Sequence, residues 1–358
     1  MSEGLGFRNF KAVPNILFAK GAISQVPVLL GKLPERSGLR VYVIDHFFKD
    51  GRLDASLQTR PRDLVLYLDT TDEPKTSTVD EFTARVKRSQ DGALPDAVIG
   101  IGGGASLDVA KAVSIMLTNE GQSSAYQGWD LVQKSPVYKV GIPTLSGTGA
   151  EVSRTAVLMG PEKKQGINSD HSIFDQIVLD PDLLFTVPPR QRFLTGMDCY
   201  IHSVEAVCGS FLNEFSRSFA ESALGLCERV FLKDGSDADL MVASFLGGYS
   251  IVYSEVGVCH ALSYGLSYAF GMHHGEANCV AFDQLDEYYP AHTGPFRSMM
   301  QKHGISLPRG LAKGISPRMM EKMIDITLLM EKPLRNALGD GWRDLFTRER
   351  IRELYQRM

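Results

Sequence analysis

Within Gly-Met-Asp-Cys-Tyr-Ile-His-Ser-Val-Glu-Ala, Asp198 and His202 stand four residues apart in a helical context, so both side chains share one face and can point at a single ion. The later segment GVCHALSYGLSYAFGMHHGEAN adds His260 in a helical stretch and His274 in a glycine-flanked turn, fourteen residues further on. One carboxylate oxygen and three imidazole nitrogens suit a borderline divalent ion, Zn²⁺ or Fe²⁺, better than Mg²⁺ or Ca²⁺. His273 competes with His274 for the fourth position because adjacent histidines face different directions; the reading favours His274. Glu205, a further turn along from His202, is expected beside a ligand or in an interhelical ion pair rather than on the ion.

A second kind of chemistry sits in residues 100–108, Gly-Ile-Gly-Gly-Gly-Ala-Ser-Leu-Asp. Glycines let backbone N–H groups approach a phosphate at the positive end of a helix, so a strand running into this segment can cradle a pyrophosphate. The segment fits G-x-G-x-x-A, ending at Ala105, but no acidic residue closes a strand about 20 residues later, as the ordinary dinucleotide fingerprint requires. Asp45, at the end of Val-Tyr-Val-Ile-Asp, offers such a carboxylate earlier in the chain, and by repelling a 2′-phosphate it favours NAD over NADP. Another turn, residues 143–151, offers Thr144 and Thr148 as further groups lining a cofactor.

These residues need elements to position them. Short apolar runs at 41–44, 64–68, 97–101, 140–142 and 177–179 alternate with helix-like stretches, the rhythm of a parallel sheet with helical crossovers. After 97–101 and the glycines, Leu107, Ala110, Val113 and Leu117 recur at helical spacing. Around Val187-Pro188-Pro189 the pattern becomes long and helical. The expected organisation is an α/β dinucleotide-binding domain over 1–187 and an all-helical metal-binding domain over 188–358, with helices near 191–205 and 256–269. Metal and cofactor are expected to share the crevice between them.

Composition narrows the function class. With 38 Lys+Arg against 42 Asp+Glu and no run of like charges, the partner is expected to be a small molecule, not nucleic acid or an anionic membrane. No basic leader with an apolar stretch and no membrane-length apolar run is present, so the expectation is a soluble cytoplasmic protein. Five cysteines without a C-x-x-C pair indicate reduced thiols rather than a disulfide framework.

With these motifs in this order, the chain resembles the iron-containing (group III) alcohol dehydrogenase family, whose fold is shared with glycerol dehydrogenase and dehydroquinate synthase. The resemblance runs from FKAVPNILFAKGAI through DEPKTSTV, GGGASLDVAK, PTLSGTGAEVSRTAVL, KQGI, LDPDLLFTVPP and TGMDCYIHSVEA to the segment ending at Asn278, and fades afterwards. It implies that Gly102, Gly103, Gly104 and Ser106 bind the pyrophosphate, with Asp108 and Lys111 in the same motif. It further implies Thr144 and Thr148 near the nicotinamide, Lys164 and Leu179 in the cofactor pocket, and Asp198, His202, His260 and His274 on the metal. A homodimer is also implied.

Two positions depart from the family pattern: Tyr264 stands where a second histidine is frequent, and His273-His274-Gly275 replaces Pro-His-Gly. Within the family the chain is most similar to members that oxidise the C8 hydroxyl of 3-deoxy-D-manno-octulosonate (Kdo) to an aldehyde. Tyr264, His273 and Arg154 are the groups expected to meet such a sugar acid, with a ribose hydroxyl, Tyr264 or His273 relaying the proton while hydride passes to the nicotinamide. The nearest rival is a dehydroquinate synthase-like lyase, which would return the hydride.

Overall fold

The computed structural model describes residues 10–89 and 93–358, and the leader-free reading of residues 1–9 falls outside them. Among the described residues the chain divides into two compact units, one of Lys11–Leu145 with Ala150–Thr186 and one that includes Ser146–Gly149 and Val187–Met358.

The first unit is built on nine strands: β1 (Ile16–Phe18), β2 (Arg40–Asp45), β3 (Leu64–Leu68), β4 (Ala97–Gly102), β5 (Gly128–Trp129), β6 (Lys139–Pro143), β7 (Thr155–Met159), β8 (Lys164–Asn168) and β9 (Gln176–Leu179). Six form a sheet in the order β1-β9-β6-β4-β2-β3, every neighbouring pair parallel. Helices α1 (Val26–Gly31), α2 (Asp54–Leu57), α3 (Thr76–Ser89) and α4 (Gly104–Met116) belong to the same unit.

Both faces of the sheet are covered, which is why its strands read as continuous apolar runs. Along β2 the side chains alternate: Val41 and Val43 pack with Val98 and with Val79, Phe82, Val109 and Val113 of α3 and α4. Tyr42 and Ile44 pack on the opposite face with Ile99, Ile101, Val26 and Leu30. Each fully buried aliphatic side chain of this kind contributes roughly 1.5–3 kcal/mol. From β2 the chain moves outward to β3 and then crosses back to β4, so the order reverses between β2 and β4. Crevices at the carboxyl ends of such strands bind ligands; here those ends are Asp45 and Gly102. A smaller sheet, β5-β8-β7, was not expected from the sequence.

The helical unit comprises α5 (Pro189–Cys208), α6 (Glu214–Leu232), α7 (Asp237–Tyr253), α8 (Val258–Phe270) and α9 (His274–Phe282). They are followed by α10 (Thr293–Lys302), α11 (Pro317–Leu328), α12 (Glu331–Leu338), α13 (Trp342–Leu345) and α14 (Arg348–Arg357). Pro188 and Pro189 start α5, where a missing N–H costs nothing. Every residue from Phe193 to Ala206 is buried, as expected of a helix enclosed on all sides, and α6, α7, α8 and α9 pack against it. No single helix among the described residues is long and apolar enough to cross a membrane.

Candidate metal centre and phosphate cradle

Three helices bring the four donors together. Asp198 and His202 occupy one face of α5, His260 lies in the first turn of α8, and His274 opens α9. Gly271 ends α8 in the left-handed conformation, φ 64°, so the chain turns at once into α9 and returns His274 to His260. At Gly275 a Cβ would lie 2.7 Å from the Leu194 carbonyl oxygen, so only glycine lets the first turn of α9 sit this close to α5.

Asp198 Oδ1 lies 3.5 Å from His202 Nε2, 3.3 Å from His260 Nε2 and 3.6 Å from His274 Nε2. Donors placed about 2.1 Å from a tetrahedral ion stand about 3.4 Å apart, so the spacing fits a cation. All four donor atoms lie within 4.8 Å of one another. His273 is the exposed N-cap of α9, whereas His274 reaches the cluster.

Glu205 closes the arrangement from behind. Its Oε2 lies 2.5 Å from His260 Nδ1, and its Oε1 accepts the Cys259 N–H at 2.6 Å and the Tyr289 hydroxyl at 3.0 Å. Holding the proton on Nδ1 leaves the Nε2 lone pair facing the cluster. Burial pushes the Asp198 carboxyl up, but the surrounding imidazoles outweigh it and hold the group below the usual carboxylate range. Burial pulls His202 down to about 4, against Asp198. Burial also disfavours the His260 cation, yet Glu205 and Asp198 outweigh this and raise it to about 10. Two buried carboxylates thus give the pocket a surplus of negative charge that calls for a cation.

Tyr264, on α8 beyond His260, is half-buried and meets His274 edge-on at 6.2 Å between ring centroids. Sequence reasoning missed Asn278, whose Nδ2 donates to Asp198 Oδ1 at 2.7 Å. The available signal was its position four residues after His274, the same spacing that joins Asp198 to His202.

The glycine turn expected to cradle a phosphate lies in the α/β unit. No side chain caps the N-terminus of α4, and the buried Ser106 Oγ there has no hydrogen-bond partner among the described residues. Gly102 adopts φ 149°, and a Cβ on it would lie 2.5 Å from Ser106 Oγ and 3.0 Å from Asp45 Cβ. The glycine turn and the end of β2 are therefore neighbours. The Thr144 N–H donates to the Gly102 carbonyl at 2.9 Å, adding the second turn to the same place. Open helical N–H groups beside an unsatisfied hydroxyl suit a phosphate.

Other predicted residues are engaged differently. The Asp45 carboxylate accepts the Phe47 N–H at 3.0 Å and the Thr70 hydroxyl at 3.1 Å. Asp108 is buried and accepts from Lys111 at 3.2 Å and from the Val157 N–H at 2.9 Å, tying α4 to β7. The Lys111 ammonium also reaches Ser153 Oγ and the Thr155 carbonyl. Lys164 pairs with Glu73 at 2.8 Å, and Leu179 is buried at the end of β9. Thr148 belongs to the helical unit, within Ser146–Gly149. Arg154, considered for a substrate carboxylate, is held by Asp130 and Asp170 of its own unit.

Comparisons with known proteins show the family. The family profile "Iron-containing alcohol dehydrogenase" matches residues 14–181, and "Fe-containing alcohol dehydrogenase family, C-terminal" matches residues 193–337. Long-chain-alcohol dehydrogenase 1 of Geobacillus thermodenitrificans (strain NG80-2) is 34% identical over 233 residues, 62% of this chain and 58% of that protein. The chain therefore matches less than two thirds of that relative's length. In fold the chain is similar to 1,3-propanediol oxidoreductase, with TM-score 0.82, 22% identity and coverage of 97% of this chain and 98% of that one. It is equally similar to sulfoacetaldehyde reductase from Bifidobacterium kashiwanohense in complex with NAD+, with TM-score 0.82, 20% identity and 97% of both chains covered.

Proposed function

The chain belongs to the iron-containing alcohol dehydrogenase family, oxidoreductases acting on CH–OH groups, and on that premise we propose that it oxidises a primary alcohol to an aldehyde using a divalent ion and NAD. The observation that carries this reading is the buried Asp198, His202, His260 and His274 cluster, with its 3.3–3.6 Å spacing around Asp198 Oδ1. When bound, the ion supplies a Lewis acid that acidifies a hydroxyl, and the nicotinamide supplies a hydride acceptor.

The protein's own residues do the positioning. Asp198, His202, His260 and His274 would hold iron or zinc, and Glu205 holds the His260 ring by the 2.5 Å contact at Nδ1, so that Nε2 is the atom an ion would take in place of a proton. Gly102, Gly103, Gly104 and Ser106 receive the pyrophosphate at the start of α4. Asp45, beside them, would accept from a ribose hydroxyl and disfavour NADP. Thr144, Thr148, Lys164 and Leu179 complete the proposed cofactor set, while Asp108 and Lys111 brace α4. Tyr264, its ring 6.2 Å from that of His274, would accept and pass on the substrate proton through its hydroxyl, with exposed His273 as the further relay.

For substrate, the reading extends to the C8 hydroxyl of Kdo, feeding 8-amino-8-deoxy sugar and lipopolysaccharide synthesis in the cytoplasm, with the protein acting as a homodimer. Support comes from the motif resemblance and from the two departures at Tyr264 and His273. A phenol and an additional imidazole suit a polar, anionic sugar better than an apolar alcohol. Absorbance of reduced nicotinamide tests the proposal, using iron- or zinc-loaded protein, NAD, and Kdo beside simple alcohols, glycerol and a chelated control. Metal-dependent reduction with Kdo is expected. Turnover of simple alcohols alone would discard Kdo, and no reduction with any substrate would overturn the dehydrogenase reading.

A further inference from the structure

Asn278 is fully buried on α9, one helical turn past His274. Its Nδ2 lies 2.7 Å from Asp198 Oδ1, 3.1 Å from His260 Nε2 and 3.2 Å from His274 Nε2. The amide therefore stands over the face formed by three of the four donors. Its Oδ1 is buried and has no hydrogen-bond partner among the described residues, an unfavourable state for a carbonyl oxygen.

A cation at the centre changes what this amide can do. Each Nε2 would then turn its single lone pair to the ion, and Asp198 Oδ1 one of its two, leaving the NH₂ group facing a positive charge with the remaining Asp198 lone pair as its one acceptor among these three atoms. Rotation about the terminal side-chain torsion exchanges NH₂ and C=O at nearly constant volume, and this torsion is soft and roughly two-fold. The exchange brings the unpartnered oxygen to the ion.

We propose that Asn278 is a fifth donor of the metal centre, presenting its amide oxygen to the ion. The proposal rests on the metal-dependent reading above and deepens it. A neutral oxygen added to the Asp/His₃ set favours an ion that accepts more than four donors, such as Fe²⁺, over Zn²⁺, which is satisfied by four.

The test uses the full-length protein, wild type and the variants Asn278→Asp and Asn278→Leu, with Fe²⁺, Co²⁺ and Zn²⁺ affinities measured by chelator competition. The Co²⁺ absorption spectrum reports coordination number, because five-coordinate Co²⁺ absorbs more weakly than tetrahedral Co²⁺. Leucine removes both amide atoms, whereas aspartate keeps the oxygen and loses the NH₂. Asn278→Leu is expected to bind Fe²⁺ and Co²⁺ roughly ten- to a hundredfold more weakly, with a stronger, tetrahedral Co²⁺ band. Asn278→Asp is expected to bind at least as tightly as wild type. Weakening by aspartate would overturn the proposal and assign Asn278 to donating a hydrogen bond to Asp198. Unchanged affinity and spectrum in Asn278→Leu would overturn it as well. Metal-free circular dichroism checks the fold of each variant, and the aspartate comparison decides the matter even if the leucine variant does not fold. A wild-type protein that binds none of these ions would instead sink the metal reading itself.

Discussion

The phosphate cradle and the metal centre solve opposite problems. The cradle works through main chain: Gly102 leaves room that a Cβ would fill, and α4 begins without a side-chain cap. The metal centre works through side chains supplied by α5, α8 and α9, and its electrostatics depend on two buried carboxylates, Asp198 and Glu205. The first site is encoded by what is missing over a few consecutive residues. The second is encoded by what is present at positions from 198 to 274, and it exists only when three helices pack correctly. An added methyl group should therefore harm the cradle most, and a lost charge or donor should harm the metal centre most.

The sharpest way to break this contrast is Gly102→Val. The backbone at φ 149° and the 2.5 Å approach to Ser106 Oγ leave no place for a branched side chain. NAD affinity by fluorescence titration should fall more than about a hundredfold, roughly 3 kcal/mol, while metal stoichiometry is unchanged; equal NAD binding would show that the cradle lies elsewhere. Glu205→Gln should act in the opposite sense. It keeps the shape but removes the charge that orients His260, so metal affinity should fall roughly ten- to a hundredfold with NAD binding preserved. An unaltered chelator-competition curve would reduce Glu205 to a packing residue.

Lys139 gives the smallest effect and a control that belongs to neither site. Its side chain is 2% exposed, its ammonium pairs with Asp175 at 3.5 Å, and burial pushes its pKa down to about 8. Unfolded lysine titrates near about 10.4, so between pH 8 and 10 the unfolded chain holds more protons and stability rises with pH. Lys139→Met should therefore be more stable than wild type by on the order of 1–3 kcal/mol at pH 7, and the gain should vanish above about pH 10. Denaturant melts at both pH values check this, and a gain that does not depend on pH would mean that the lysine titrates alike in the folded and unfolded chain and that the gain comes from packing.

What could be read in the sequence follows from the same contrast. The strands at 41–44, 64–68 and 97–101 and the shared helix face of Asp198 and His202 were legible because local spacing dictates which face a side chain takes. The small sheet was not: Gly128–Trp129 is two residues long, and the polar Lys164–Asn168 becomes a strand only because β7 pairs with it. Asp108 and Lys111 carry the right residue types for phosphate chemistry. Their burial against Val157, Ser153 and Thr155 depends on residues more than forty positions away, which no local motif reports. Asn278 escaped notice because a neutral amide draws no attention in a search for charges and imidazoles, although its helical spacing from His274 was plain.

Segregation of the two sites has a thermodynamic corollary. All four metal donors lie in the helical unit, whereas Gly102, Gly103, Gly104 and Ser106 lie in the α/β unit. A ligand that binds only folded protein stabilises it by mass action, by about 2.7 kcal/mol at a hundredfold excess over its Kd. On the proposed reading, metal and cofactor each add such a term to the stability of the folded chain. Depletion of the ion would then remove one of these terms, making turnover of the protein a readout of metal status.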